Sequence, residues 1–499
     1  MSEGAQNLSS TQNANTPPNV IANTARFNKQ FLEDEISMES AAHKDTHILI
    51  LGSGFAAVEV LKKLQKEFHN NKNIRISLVS KDNFLLFTPM LPEVASGMIE
   101  TRHIVTPVRT FCKKADFHEG NVESIDLANK KVKMKYTIGR QSRPTEEREH
   151  TFEYDYLVIA LGNENNFFHN TGIQKYSFTM KSIEDAIILR NHMINLLEQA
   201  SSEDNKELIK ALLTFVVVGG GFSGVETVGA INDFLREAIK GYYKSIYMTQ
   251  LRVILVHASD NLLEQTDEEL GRFALEKLKE SGVEFIMKSL VTEVTANVVK
   301  TDNNTIIPSY TVIWTAGVTP SKLIAELPCR HDRGHRIITN SYLEVPGYNG
   351  VYALGDCAST TNPHTGRPYP ATAQSAVEQG RVAAKNILVA INEKENKKLK
   401  FDYKTRGMMA EIGKRTGVAI LFGRIRLHGF VAWWLWRMYY LSILPTVKKK
   451  LTVMVDWTTD FLFKPDVSMI KRTDLTIDTD EERTNIKGTS NSQPKFHRV

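Results

Sequence analysis

The stretch that decides the fold is THILILGSGFAAVEVLKKL, residues 46–64. It opens with a continuous apolar run, as a parallel strand covered on both faces does, and then turns through Gly52, Gly54 and Ala57 into a helical pattern. Residues 212–231, LLTFVVVGGGFSGVETVGAI, repeat the plan with Gly219, Gly221 and Gly224. In such a unit the glycines permit a tight turn, close approach of the backbone to a pyrophosphate, and close helix–strand packing, while the helix N-terminus offers free N–H groups and a positive dipole end. Each unit is followed by a second apolar strand, IRISLVS (74–80) and LRVILVH (251–257). Each also has a later strand that closes on a small-Gly turn: YDYLVIALG ends at Gly162 and YTVIWTAG at Gly317. A third strand, GVYALGD, follows the second unit and ends in Gly355-Asp356. This order predicts an α/β fold of two Rossmann-like dinucleotide-binding domains, the second inserted in the first, with Asp356 returning to the first ligand. An acid at such a strand end suits a hydrogen bond to a polyol or ribose hydroxyl; read alone, it suits a helix cap equally well.

The rest of the chain bounds the possibilities. Its 499 residues give room for two to three domains, and 42% hydrophobic and 24% charged residues with a mean hydropathy of -0.26 describe a globular protein, not a polytopic membrane one. Cys112, Cys329 and Cys357 form no CxxC or CxxxxC pair, which argues against a disulfide framework, a zinc site or an adjacent redox disulfide. Residues 1–45 and 473–499 are polar and read as loose tails without a targeting pattern. The net charge of +5 is too small to imply nucleic-acid binding. Residues 421–464 hold seven basic residues and two acids, so the whole net charge resides there.

LGSGFAAVE, FLLFTPMLPEVASG (84–97), YLVIALGN, GGGFSGVE, VIWTAGV, ALGDCAS and TAQSAVEQG, in this order, resemble the two-dinucleotide-binding-domain flavoproteins and, within them, the type II NADH:quinone oxidoreductases, single-subunit NADH dehydrogenases of respiratory chains that pump no protons. The resemblance implies FAD in the first unit, with Gly52, Ser53, Gly54, Phe55, Ala56, Ala57 and Gly162 at its phosphates and turn, and Ser80 and Lys81 at its adenosine ribose. It also places Val122 at the adenine, Gly355 and Asp356 at the ribityl chain, and the helix opening near Ala373 at the flavin. The family often has an acid where Ser80 stands. The second unit would hold NADH at Gly219, Gly221, Phe222, Ser223, Gly224, Ala316 and Gly317. His257 stands where an acid usually accepts from the ribose hydroxyls, which leaves NADPH open beside NADH. Glu226 matches the family's active-site carboxylate; by itself it is also a favourable first-turn dipole partner.

The family's AQxAxQ motif presents two glutamines to flavin and quinone. Here Gln374 fills the first slot and Glu378 the second, while Gln379 is rotated about 100° away on the helix. A carboxyl at 378 suits quinone hydrogen bonding if an apolar pocket raises its pKa. Glu226, Gln374 and Glu378 are the expected catalytic residues, with Lys414 and Arg437 as weaker candidates at the quinone. The segment 421–464 has no uncharged run long enough to span a bilayer. It reads as two helices broken near Pro445, lying on a lipid surface through Leu451, Met454, Val455, Phe461 and Leu462, with Asp456 and Asp460 on the other face and Trp433, Trp434, Trp436 and Trp457 at the headgroup boundary. A core helix or a homodimer interface is the competing reading.

The expected division is 46–180 and 346–400 for FAD, 181–345 for NAD(P)H, and 401–472 for membrane anchoring on the cytoplasmic face of the cell membrane. Two alternatives share the fold: a sulfide:quinone oxidoreductase, which needs redox cysteines near the flavin, and a flavoprotein redox sensor that binds NAD(P)H.

Overall fold

The computed structural model describes residues 45–140 and 143–469; the expected tails lie outside them, apart from Asp45. The first glycine-rich unit supplies β1 (Thr46–Leu51), α1 (Phe55–Glu67), β2 (Ile74–Ser80), β3 (Asp116–Glu119) and β4 (Tyr156–Ile159). The second supplies β5 (Thr214–Val218), α2 (Phe222–Tyr242), β6 (Arg252–Val256), β7 (Val283–Ile286) and β8 (Thr311–Trp314). The chain then returns to the first sheet with β9 (Val351–Ala353) and covers it with α3 (Ala373–Ile391). Both sheets are parallel, ordered β9-β4-β1-β2-β3 and β7-β6-β5-β8. The repeat seen in sequence is thus a structural repeat, each glycine-rich strand lying between its two apolar successors. Ile48, Leu49, Ile50 and Leu51 are wholly buried, as a strand covered on both faces must be.

Two glycines show what the motif requires. Gly52 has φ +103° and a Cβ there would lie 2.3 Å from Ala160 O; a Cβ on Gly224 would lie 1.8 Å from Gly219 O. No side chain fits either place. A turn-to-turn pairing joins the two units: Glu164–Asn165 pairs antiparallel with Val318–Thr319, and Asn166 N–H donates to Gly317 O at 3.1 Å.

The C-terminal region is not only helical. It begins with an antiparallel sheet of β10 (Gly407–Glu411), β11 (Gly417–Leu421) and β12 (Ile425–Gly429), followed by α4 (Phe430–Ile443) and α5 (Val447–Leu462). The helices break at Leu444 and Pro445, as expected. The expected headgroup tryptophans need correction: Trp433, Trp436 and Trp457 are 9%, 1% and 6% exposed, and only Trp434 faces outward. Their physical reason for burial is that each indole N–H meets a buried carboxylate, Trp433 to Glu411 (2.7 Å), Trp436 to Glu226 (3.3 Å) and Trp457 to Glu93 (2.9 Å). Arg437 is buried too. Its guanidinium lies over the Trp433 and Trp457 rings and 3.6 Å from Glu93, so one of the seven charges assigned to lipid binding belongs to the interior.

Gly224→Ala should therefore cost roughly 1–3 kcal/mol, the price of overpacking, as a lower urea midpoint. Gly221→Ala, which meets nothing within 4 Å, should cost less than about 1 kcal/mol. Equal effects would contradict this reading of the loop.

Candidate active site

At the first loop, α1 starts after Gly54 with no side chain capping its leading amides, and a Cβ at Gly54 would meet nothing within 4 Å. Ala56 and Ala57 are buried against the sheet. Ser53 Oγ donates to Phe84 O (3.1 Å) and Ser80 Oγ to Ser53 Oγ (2.9 Å). Buried Ser80 thus ties the loop down from the end of β2; Lys81 beside it is exposed. Val122 is half-buried next to a bulge in a separate antiparallel sheet. Beyond Gly162, Asn163 Nδ2 donates to Asp356 Oδ2 (2.9 Å), while Asn163 Oδ1 is buried without a partner. Asp356 bonds Asn163, not a helix amide, which disfavours the capping alternative. Burial raises its carboxyl pKa against the pull of Lys181, and the same burial lowers Lys181. Sequence spacing singles out neither Asn163 nor Lys181. Uncapped amides, open space over the loop and an orphaned amide oxygen beside an acid fit the pyrophosphate and polyol of FAD.

At the second loop, α2 likewise starts uncapped after Gly221, with Phe222 half-buried, Ser223 exposed and Ala316-Gly317 on the facing turn. His257 departs from expectation. Its Nδ1 accepts from Gly220 N–H (3.0 Å), so that nitrogen is engaged by the loop itself and the ring proton belongs on Nε2. Nε2 is buried without a hydrogen bond and lies 3.7 Å from Glu264. Glu264 thus stands beside His257 just beyond the end of β6.

The loop 84–97 and the C-terminal helices close over the start of α2. Phe55, Phe87, Tyr440 and Trp436 form a chain of edge-on ring contacts with centroids 4.6–5.8 Å apart, so α4 is linked through Phe87 to the start of α1. Glu226 is the fifth residue of α2, just past the first turn expected of it, mostly buried, and Glu411 N–H approaches its Oε1 at 3.4 Å. Burial pushes Glu226 up to about 8, with Glu411 adding repulsion and the Trp436 indole opposing. Burial likewise pushes Glu411 up to about 7 against the pull of Arg437 and Asp233 up to about 7, and raises Glu93 well above the usual carboxylate range. Sequence reasoning missed Glu93, Asp233 and Glu411. Glu93 carried a signal, an acid inside the otherwise apolar run MLPEVA.

The other expected catalytic residues lie at the start of α3, whose N-cap is Thr372 and whose first residue is Ala373. Gln374 Oε1 accepts from Tyr403 OH (2.8 Å) and its Nε2 reaches Gly407 O (3.4 Å). Glu378 does not lie in an apolar pocket: it accepts from Arg381 (2.7 Å), with Arg406 3.8 Å away. Gln379 is turned away, as its rotation implied, and accepts the Gly355 N–H at 2.6 Å. Of the weaker candidates, Lys414 pairs with Glu237 at the surface and Arg437 belongs to the buried acids. Cys329 and Cys357 are free, and burial pushes both thiols up to about 11, a poor setting for thiolate chemistry.

Residues 46–380 match the pyridine nucleotide-disulphide oxidoreductase family, and residues 405–466 match the NDH2 C-terminal domain. The chain is 32% identical over 426 residues to a probable NADH dehydrogenase of Dictyostelium discoideum, covering 84% of this chain and 90% of that one. It is 32% identical over 431 residues to the type II NADH:quinone oxidoreductase Ndh of Mycobacterium tuberculosis, covering 83% and 88%. The fold matches that of NDH2 from Plasmodium falciparum in complex with NADH, with a TM-score of 0.77 at 20% identity, covering 86% of this chain and all of that one. Two glycine-loop units meeting under a matched C-terminal domain, with these relatives across most of its length, make the chain a member of the type II NADH:quinone oxidoreductase family.

Proposed function

We propose that the protein is an FAD-dependent NADH:quinone oxidoreductase working at a lipid surface. The observation that carries this is the meeting, at Glu226, of the second glycine-loop helix, the loop 84–97 and the C-terminal helices. When bound, FAD supplies the two-electron acceptor for NADH and the donor for quinone. The chain's own residues do the rest. The uncapped amides of α1 and the Gly52–Ala57 loop hold the FAD pyrophosphate; Asp356, kept in place by Asn163 and Lys181, takes the ribityl hydroxyls. The N-terminus of α3 at Ala373 directs its positive end to the flavin, favouring added negative charge. The α2 loop holds NADH, and Glu264, beside His257, disfavours a 2'-phosphate by like charge. Gln374, steadied by Tyr403, offers its amide to the quinone head group, and Glu226 holds the proton nearest the reacting groups.

The lipid-surface reading rests on an inverted amphipathic pattern. Leu451, Met454, Val455, Phe461 and Leu462 are 46–65% exposed. Asp456 and Asp460, in contrast, turn toward the body, Asp456 accepting from Glu100 N–H and from His103. On α4, Phe430, Val431, Trp434 and Met438 are exposed as well. A protein wholly in water would place those acids outward. Among the described residues no helix is long and apolar enough to cross a membrane; the two helices lie along the surface, where exposed Arg424 and Lys448 meet anionic headgroups. A sulfide:quinone oxidoreductase is disfavoured by the protonated, buried Cys357.

Steady-state kinetics of the FAD-loaded protein with short-chain quinone should show a higher kcat/KM for NADH than for NADPH, and Glu264→Gln should narrow the gap. No turnover with either nucleotide would overturn the assignment. Leu451→Glu together with Val455→Glu should release the protein from anionic vesicles in flotation; retention would contradict the surface proposed.

The raised carboxyls also set a pH dependence. Glu226 titrates near 4.5 when unfolded and near 8 when folded, so its stabilising contribution is complete at low pH and is lost as pH rises through about 8. The Tm should fall as pH rises through 7 to 8, less steeply in Glu226→Gln; parallel slopes would show that Glu226 is ionised throughout.

A further inference from the structure

The proposed reaction consumes a proton: NADH, H+ and quinone give NAD+ and quinol. Hydride supplies two electrons and one hydrogen, and water must supply the other proton, to a site roofed by apolar helices. The small void beside Glu226 has room for about one water and is also lined by Glu93, Asp233 and Glu411. A larger void shares Asp233 and Glu411 with it and continues past Asp460 and Glu237 to Lys414 and Arg415, both exposed. Asp233 and Glu411 therefore stand in the wall between an inner void that touches Glu226 and an outer one that reaches the surface.

The hydrogen bonding suits proton passage. Indole N–H groups fix one oxygen each of Glu226, Glu411 and Glu93. Glu93 is 2% exposed, yet its Oε2 has no partner, and Asp233 Oδ2 is likewise buried and unpaired. A buried carboxyl oxygen without a donor is costly unless it carries a proton or meets water. Arg437 is the one cation that faces both Glu93 and Glu411, so among the described residues the acids outnumber their buried counter-charge and retain protons.

Building on the quinone-reductase reading, we propose that Asp460, Asp233 and Glu411 form the proton route from water to Glu226, entering beside Lys414 and Arg415, with Arg437 as the residue that positions its midpoint. Asp460 takes a proton from water; the proton passes through the outer void to Asp233 and Glu411, then through the inner void to Glu226. Each carboxyl loses one proton and regains one, and no electron moves along the route. The groups facing it accord with this direction. Asp460 is influenced by Arg437, Glu237, Lys414 and Arg415, Asp233 by Glu237, Lys414 and Arg236, Glu411 by Arg437, Asp233 and Asp460, and Glu226 by Glu411 and Trp436. Burial holds Asp233, Glu411 and Glu226 within about one pH unit of one another, at about 7, 7 and 8, which permits transfer in either direction.

Glu411→Gln keeps an acceptor for the Trp433 indole but cannot relay a proton. In stopped-flow at about pH 8 the full-length FAD-loaded variant should reduce its flavin with NADH within about twofold of the parent rate, whereas reoxidation by short-chain quinone should slow roughly tenfold or more. Imidazole in the buffer should restore that loss, and infrared titration without substrates should lose one carboxyl band that titrates near neutral pH. Unchanged reoxidation, or a loss that imidazole does not restore, would overturn the route. Asp460→Asn at the mouth gives the same readouts if Glu411→Gln does not fold. Should the parent protein itself fail to be reoxidised by quinone, it is the functional assignment that falls, a result separate from either variant's.

Discussion

The structure depends on three hydrogen bonds of one kind: the indole N–H groups of Trp433, Trp436 and Trp457 on the carboxylates of Glu411, Glu226 and Glu93. They come from three different parts of the chain. Glu93 belongs to the loop after the first unit, Glu226 to the glycine-loop helix of the second, and Glu411 to the C-terminal sheet. The tryptophans and Arg437 all belong to the two C-terminal helices. Burying acids is unfavourable unless each finds a donor, and leaving a buried polar group without its hydrogen-bond partner costs about 1–3 kcal/mol. The helices are thus held to the body by the groups the active site needs, and their position is as fixed as that of the glycine loops.

This constraint explains the division of labour on the helices. Their inward faces are polar or aromatic with a hydrogen-bonding task, and their outward faces are apolar. One hydrophobic cluster runs continuously from Leu91 and Val94 through Val228 and Ile231 to Trp436 and Trp457, so the loop, the second unit and the C-terminal helices share a core. On the proposed reading, a quinone that leaves lipid for the flavin would cross this layer, and protons would reach the same place by the acid-lined voids.

The parallel strands and the insertion of the second unit were legible because glycine loops followed by buried strands leave few alternatives. The start of α3 and the helix break at Pro445 were legible for the same local reasons. What sequence could not show was which way amphipathic residues point. Tryptophan suits a headgroup boundary and a buried carboxylate equally, and the choice depends on Glu93 and Glu411, 364 and 22 residues away along the chain from their partners. Arg437 was miscounted as surface charge on the same ground. His257 and Ser80 each stand at the expected strand end and also bond the protein's own loop, a task the sequence did not show. Glu378 matched its slot in the motif, while Arg381, one turn further along, gives it a salt bridge in place of an apolar pocket. The strands β10–β12 went unread because apolar runs as short as GMMAE and GVAIL do not separate a strand from a buried helix segment.

The central claim is that one FAD, held over the start of α3, is served by NADH from the second unit and by quinone from the C-terminal side. Anaerobic single-turnover mixing tests it most directly. NADH is expected to bleach the bound flavin's visible absorbance, and a subsequent addition of short-chain quinone to restore it fully without oxygen. Flavin that stays oxidised in excess NADH, or reduced flavin that quinone fails to reoxidise, would contradict it.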